Sequence, residues 1–188
     1  NMDTTRTFFI TASILSFLPW YQRHAREGED PPERMRGVDF FGYYIGMALA
    51  TLAKGPVGFI LPLGITLVFL LVQKEWKKIG KMRLLPGMAF FCAVALAWYL
   101  PAILKGGTYY LNQTLLHHSF ERFAVGSSHI RPLYYYFYNF PADFLPWVLF
   151  LPAAMVYGFS KAMATKRKEF LFLMIWFAFI FLFFTLSS

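Results

Sequence analysis

The sequence predicts an all-α membrane protein of about six transmembrane helices, and three observations carry that expectation. Hydrophobic residues make up 57% of the 188 residues and charged residues only 15%, against about 25% charge in a soluble domain. The apolar residues are gathered into runs close to the roughly 20 residues a helix needs to cross a bilayer core of about 30 Å. Between those runs the Lys and Arg residues alternate from one connection to the next. In lipid each spanning segment must satisfy its own backbone polar groups, so these runs are helical.

The runs cover residues 5–21, 38–53, 56–73, 84–104, 144–160 and 169–186. The second is short and is expected to be locally mismatched to the bilayer. The first connection carries Arg23, Arg26, Arg34 and Arg36; the third carries Lys74, Lys77, Lys78, Lys81 and Arg83; the fifth carries Lys161, Lys166, Arg167 and Lys168. Together they hold 13 of the 18 Lys and Arg residues, which the positive-inside rule makes cytoplasmic. Both chain ends then lie on the outer side. The net charge of +8 is explained by topology, and no nucleic-acid partner is expected. Trp20, Trp76, Trp98 and Trp147 stand near run ends, where amphipathic rings anchor at the membrane interface.

The lone cysteine, Cys92, lies within a run, so no internal disulfide forms. Asn1 precedes Met2, and Ser188 directly follows an apolar run, so the chain is expected to be an internal segment of a larger protein.

Chemistry is expected on the outer side. The second connection is a tight turn at Lys54-Gly55-Pro56, and the fourth is a long external segment over 105–143. Within it, 109–123 (YYLNQTLLHHSFERF) reads as an interfacial amphipathic helix with Tyr109, Leu116, Phe120 and Phe123 on one face. His117 and Glu121 stand four apart, as do His118 and Arg122. Such a pair is an ordinary ion pair or two ligands of a metal, and two ligands do not define a site. Arg122, Arg131 and His129, with Tyr134, Tyr135 and Tyr136, supply the forked donors and hydroxyls that grip phosphate. The plain alternative is contact with lipid headgroups. Asp3 and Arg6 mark the outer end of the first run, either as interfacial polar residues or as ionisable groups facing a cavity. Lys54 is either a snorkelling lysine or a partner for a lipid phosphate.

The order NMDTTRTFF (1–9), LAKGPVG (52–58), HHSFERF (117–123), HIRPLYYY (129–136), FPADFLPW (140–147) and FTLSS (184–188) resembles bacterial membrane glycosyltransferases of the C-type fold. The family concerned contains the lipid A aminoarabinose transferase and is related to the protein O-mannosyltransferases. The resemblance runs over essentially the whole chain, less so at 22–37. It implies transfer of a sugar from a polyprenyl-phosphate carrier to a lipid A-like or protein acceptor at the outer face of a bacterial inner membrane. By the same resemblance Asp3 matches a functionally important aspartate distinct from the family's main catalytic base, which belongs to an earlier external loop. Arg122 matches the arginine on the carrier phosphate. Lys54 matches the lysine of an LTKGP-like turn, with Ala53 in place of threonine. His117 matches one ligand of a structural zinc, the only cofactor implied.

Two other readings stay open on the sequence. A transporter or flippase would place ionisable residues and broken helices near the bilayer midplane, whereas here the charges gather at the edges. A catalytically silent assembly subunit would lack an acidic residue in the first external loop of the full gene.

Overall fold

A computed structural model describes residues 2–23, 34–110, 135–165 and 168–186. Among these residues the chain is helical throughout its regular structure, without strands. The helices are α1 (Met2–Arg23), α2 (Gly37–Lys54), α3 (Val57–Val72), α4 (Trp76–Lys81), α5 (Leu84–Tyr110), α6 (Tyr135–Asp143), α7 (Leu151–Thr165) and α8 (Lys168–Leu186), with a 3-10 turn at Trp147–Phe150. They fall into two compact units, Asn1–Ser119 and Phe120–Ser188.

Five of the six apolar runs lie almost wholly on α-helix, and the sixth, 144–160, does so from Leu151 onward. Two stretches, Leu84–Lys105 and Lys168–Leu186, are by themselves long and apolar enough to cross a membrane. Gly37–Ala53, Val57–Val72 and Trp147–Lys161 are shorter apolar helices.

In the first unit α1, α2 and α3 pack antiparallel in succession. Small residues bring α1 and α2 together: a Cβ on Gly46 would stand 2.8 Å from Ser13 Cβ, and one on Gly42 would stand 2.4 Å from Ser16 Oγ. Gly42, Gly46 and Ala50 repeat at every fourth position, the small-xxx-small spacing that lets helices approach in lipid. The close approach permits a buried Ser13 hydroxyl to donate to the Tyr43 carbonyl at 2.7 Å. A second polar tie joins α2 to α3. Tyr43 and Thr66 hydroxyls lie 2.6 Å apart in one hydrogen bond, and the Pro62 carbonyl lies within reach of both, at 3.3 and 2.9 Å, to accept from whichever hydroxyl is not the donor between them. Buried hydrogen bonds of this kind hold helices together where lipid removes the hydrophobic drive.

Around these ties the core is aromatic. Phe17 contacts Trp20, Tyr21 and Tyr43, and Tyr21 meets Phe69 edge-on at 4.8 Å between centroids. α5 crosses α2 where Gly87 lies beneath the Tyr44 ring; a Cβ there would fall 2.0 Å from the ring. Tyr44 in turn donates to the Met82 carbonyl at 3.1 Å.

Three sequence expectations are corrected. Trp20 is buried at 1% exposure and packs on Phe17, so it is a core residue; Trp76, Trp98 and Trp147 are each more than 60% exposed and keep the interfacial reading. The fourth run continues as helix to Tyr110, and a further helix, α6, begins at Tyr135, so both ends of the segment 105–143 are helical. The run 144–160 is interrupted, with a turn at 144–146 and a 3-10 turn before α7. Pro146 supplies the break, since proline lacks the N–H and bars its predecessor from helical backbone. The connection at 74–83, marked in the sequence only by its charge, contains α4.

In the second unit α7 and α8 pack together, with Tyr157 edge-on to Phe170. Phe140 of α6 stacks on Phe144 and meets Phe177 and Phe181 of α8. α8 is apolar around nearly its whole circumference, as a lipid-embedded helix must be.

Candidate functional site

The α1–α2 contacts fix which residues share an end of the first unit. Ser13 faces Gly46 and Ser16 faces Gly42. Continued along the two antiparallel helices, that register carries Asp3 to the level of the Lys54–Gly55–Pro56 turn. Two of the residues singled out from sequence are thus brought to one end of the bundle by backbone packing.

The turn is built by its glycines. Gly55 follows the last residue of α2 with φ +85°, a conformation that L side chains rarely adopt, and its N–H returns to the Thr51 carbonyl at 2.7 Å. Pro56 opens α3, where a missing N–H costs nothing. Its carbonyl accepts from the N–H groups of Phe59 and Ile60, each at 3.0 Å. Gly58 then lies directly on α2: a Cβ there would sit 2.3 Å from the Ala50 carbonyl carbon and 2.4 Å from the Thr51 nitrogen. The motif LAKGPVG is therefore a hairpin that needs a glycine at 55 for backbone conformation and one at 58 for contact. Lys54 ends α2 at the start of this hairpin.

Asp3 occupies the first turn of α1, where a carboxylate is favoured by the helix dipole. Its side chain is half exposed and pairs with Arg6 one turn on, at 3.2 Å. Thr7 donates to the Asp3 carbonyl at 2.9 Å. The pair is thus a solvent-accessible carboxylate beside a cation at the open end of the helix.

Tyr135 and Tyr136 begin α6, Tyr135 partly buried, and the Tyr135 carbonyl accepts from Asn139 at 3.2 Å. They belong to the second unit. Arg122, Arg131, His117 and His129 lie outside the described residues, as does most of the helix expected at 109–123. Among the described residues no three His, Cys, Asp or Glu side chains gather to hold a metal. The second unit also carries an apolar groove of about 510 Å³ walled by Phe140, Phe144, Trp176, Phe177 and Phe181.

Sequence reasoning missed the packing glycines Gly42, Gly46, Gly58 and Gly87. The small-xxx-small spacing at 42, 46 and 50 was the available signal for the first two. Gly87 had none, since only the Tyr44 ring above it sets its size.

Leu84–Lys105 and Lys168–Leu186 are long and apolar enough to cross a membrane and little buried within the chain, the character of helices in an integral membrane protein. Residues 2–117 match the family described as dolichyl-phosphate-mannose-protein mannosyltransferase, and the chain belongs to that family. Two relatives from Pseudomonas fluorescens are named undecaprenyl phosphate-alpha-4-amino-4-deoxy-L-arabinose arabinosyl transferase 1 and 2. They are 28% and 32% identical, each across 100% of this chain and 31% and 32% of their own lengths. A protein of Aquifex aeolicus is 29% identical over 96% of this chain and 32% of its own length. The chain thus spans about a third of the relatives it matches. No solved structure matches it significantly.

Proposed function

We propose that the chain is the central part of a single multi-spanning membrane domain of a glycosyltransferase that uses a polyprenyl-phosphate sugar. The observation that carries this is the placement of Asp3 and the Lys54 turn at one end of the first unit, in a chain of this family. The six apolar runs are six spans, with the basic connections cytoplasmic and the Asp3–Lys54 end facing the periplasm of a bacterial inner membrane.

The acceptor, a hydroxyl of a lipid A-like molecule or of a protein, attacks the anomeric carbon. The new C–O bond forms as the bond to the carrier phosphate breaks, the configuration inverts, and the hydroxyl proton passes to a carboxylate base. Charge builds on the departing phosphate, so fixed cations there lower the barrier. Arg122, Arg131, Lys54 and His129 are those cations, and the Tyr135 and Tyr136 hydroxyls add donors without charge. Asp3 is the acidic residue at the reacting centre, aligning the acceptor, with Arg6 paired to it at 3.2 Å. The apolar groove of the second unit has the chemistry to take a polyprenyl chain. His117, itself outside the described residues, would be one ligand of a structural zinc.

The test is Arg122→Ala in the full-length protein. Transfer from a labelled carrier is expected to disappear while the unfolding temperature stays unchanged; retained transfer removes Arg122 from the mechanism. Vesicle uptake of solute without release of sugar from the carrier would instead favour a transporter or flippase, and neither activity would favour an assembly subunit.

A further inference from the structure

We propose that the opposite end of the first unit, where Arg23 closes α1, is a docking surface for the phosphate headgroups of anionic phospholipids. This rests on the reading of α1–α5 as embedded in a membrane. Lys77 and Lys81 lie on α4 and Lys74 and Arg83 on either side of it, and a hydrogen bond of 2.9 Å from the Met35 N–H to the Lys81 carbonyl brings Arg34 and Arg36 to the same end. The carboxylates described at this end are Asp39 and Glu75, and both are engaged. Asp39 pairs with Arg23, and Glu75 pairs with Lys78 at 3.1 Å, whose ammonium also lies over the Tyr21 ring. Among the described residues the cations at this end, Arg23, Arg34, Arg36, Lys74, Lys77, Lys78, Lys81 and Arg83, outnumber the carboxylates Asp39 and Glu75.

Its shape is that of a membrane interface. α4 turns Lys78 inward, with the buried Met82 just beyond its end, and leaves Trp76 and Lys77 outward, Trp76 being 64% exposed. Val72 and Leu85, at 54% and 86% exposure, flank the same cations. Exposed apolar side chains beside lysines fit the boundary between acyl chains and headgroups, where rings and aliphatics stay below and ammonium groups reach the phosphates. A nucleic acid or an acidic protein would leave that apolar rim in water.

The backbone supplies an independent sign. Lys74 and Arg83, one on each side of α4, have φ of +58° and +56°. Glycine adopts this left-handed conformation without the Cβ clash that every other L residue meets. At both points a long cation stands in its place, so the strain is borne where the positive charge is displayed. Arg83 also lies over the Phe40 ring, 5.3 Å from its centroid, which fixes its stem.

The experiment is native mass spectrometry of the full-length protein incubated with equal amounts of phosphatidylglycerol and phosphatidylcholine. Wild-type protein is expected to retain phosphatidylglycerol selectively and to lose that preference as salt is raised. Each cation near an anionic surface contributes roughly fivefold, so Lys74→Gly with Lys77→Gln should cut the preference by about 25-fold. The pair should unfold no earlier in phosphatidylcholine, because glycine relieves the left-handed strain at 74. Lys74→Arg with Lys77→Arg should keep the preference. Equal retention of both lipids, or an unchanged preference in the Gly/Gln pair, overturns the proposal. So does a preference that emerges only after Glu27, Glu29, Asp30 and Glu33 are neutralised, since the chain's own acidic stretch would then be the occupant. Sugar transfer measured on the same samples separates the two readings. Transfer lost with lipid preference intact counts against the transferase alone, and the reverse counts against the docking surface alone.

Discussion

Gly58→Ala is the smallest change that tests whether the Lys54 hairpin is built by contact. The added methyl would stand 2.3 Å from a backbone carbon of α2 and 2.7 Å from the Ala50 oxygen. Neither atom can swing away, as a side chain could. Ordinary contact begins near 3.4 Å, so the first turn of α3 must withdraw from α2 by roughly 1 Å. Forcing one extra carbon into a packed interface costs about 1–3 kcal/mol. The withdrawal also shifts the turn that presents Lys54, and a misplacement of about 1 Å can lower a rate by about a hundredfold. The assay is paired: thermal unfolding of the purified full-length protein, and transfer from a labelled polyprenyl-phosphate sugar. Gly80→Ala is the control, because a Cβ there meets nothing within 4 Å; it should leave both readouts at or above wild type. If Gly58→Ala unfolds at the wild-type temperature and transfers at the wild-type rate, the close-approach reasoning is wrong. Earlier unfolding with full transfer would keep the packing argument and remove Lys54's role.

Other expectations follow from the same geometry. Gly46→Val should destabilise by about 2–4 kcal/mol in denaturant titration, because its Cβ would meet Ser13 backbone atoms at 3.0 Å. Gly42→Ala should cost less, since the Ser16 hydroxyl it meets can rotate; the reverse order would contradict the assigned α1–α2 register. Lys78→Ala removes a nearly buried ammonium from Glu75 and from the Tyr21 face and should cost about 2–3 kcal/mol. Lys78→Met combined with Glu75→Gln should restore most of that, as read by thermal unfolding. Asp3→Asn should change stability by less than about 1 kcal/mol, because the ion pair with Arg6 is half exposed. Transfer should nonetheless fall; a fully active Asp3→Asn enzyme would remove Asp3 from the reaction centre.

The sequence by itself determined where the helices lie, because the length of an apolar run and the charge that bounds it are local properties of the chain. The runs at 56–73 and 169–186 became α3 and α8 almost residue for residue. It also determined the LAKGPVG hairpin, since Gly55 and Pro56 have backbone preferences that need no partner. Breaks were harder to read. Pro146 interrupts the run 144–160 while Pro62 is carried inside α3 and Pro19 inside α1, and a proline's effect depends on what neighbouring segments supply to the freed carbonyl.

Tertiary structure alone decided which residues face one another. Trp20 has an interfacial position in the sequence but a core position in space, where it is 1% exposed and packs on Phe17. The sizes of Gly58 and Gly87 are set by Ala50 and by the Tyr44 ring, atoms on other helices. Asp3 and the Lys54 turn, some fifty residues apart, share an end because Ser13 and Ser16 seat on Gly46 and Gly42. Hydropathy and charge fix each helix and its ends along one dimension; the rotation and register of a helix against its neighbour come from short-range packing, which no single stretch of sequence contains.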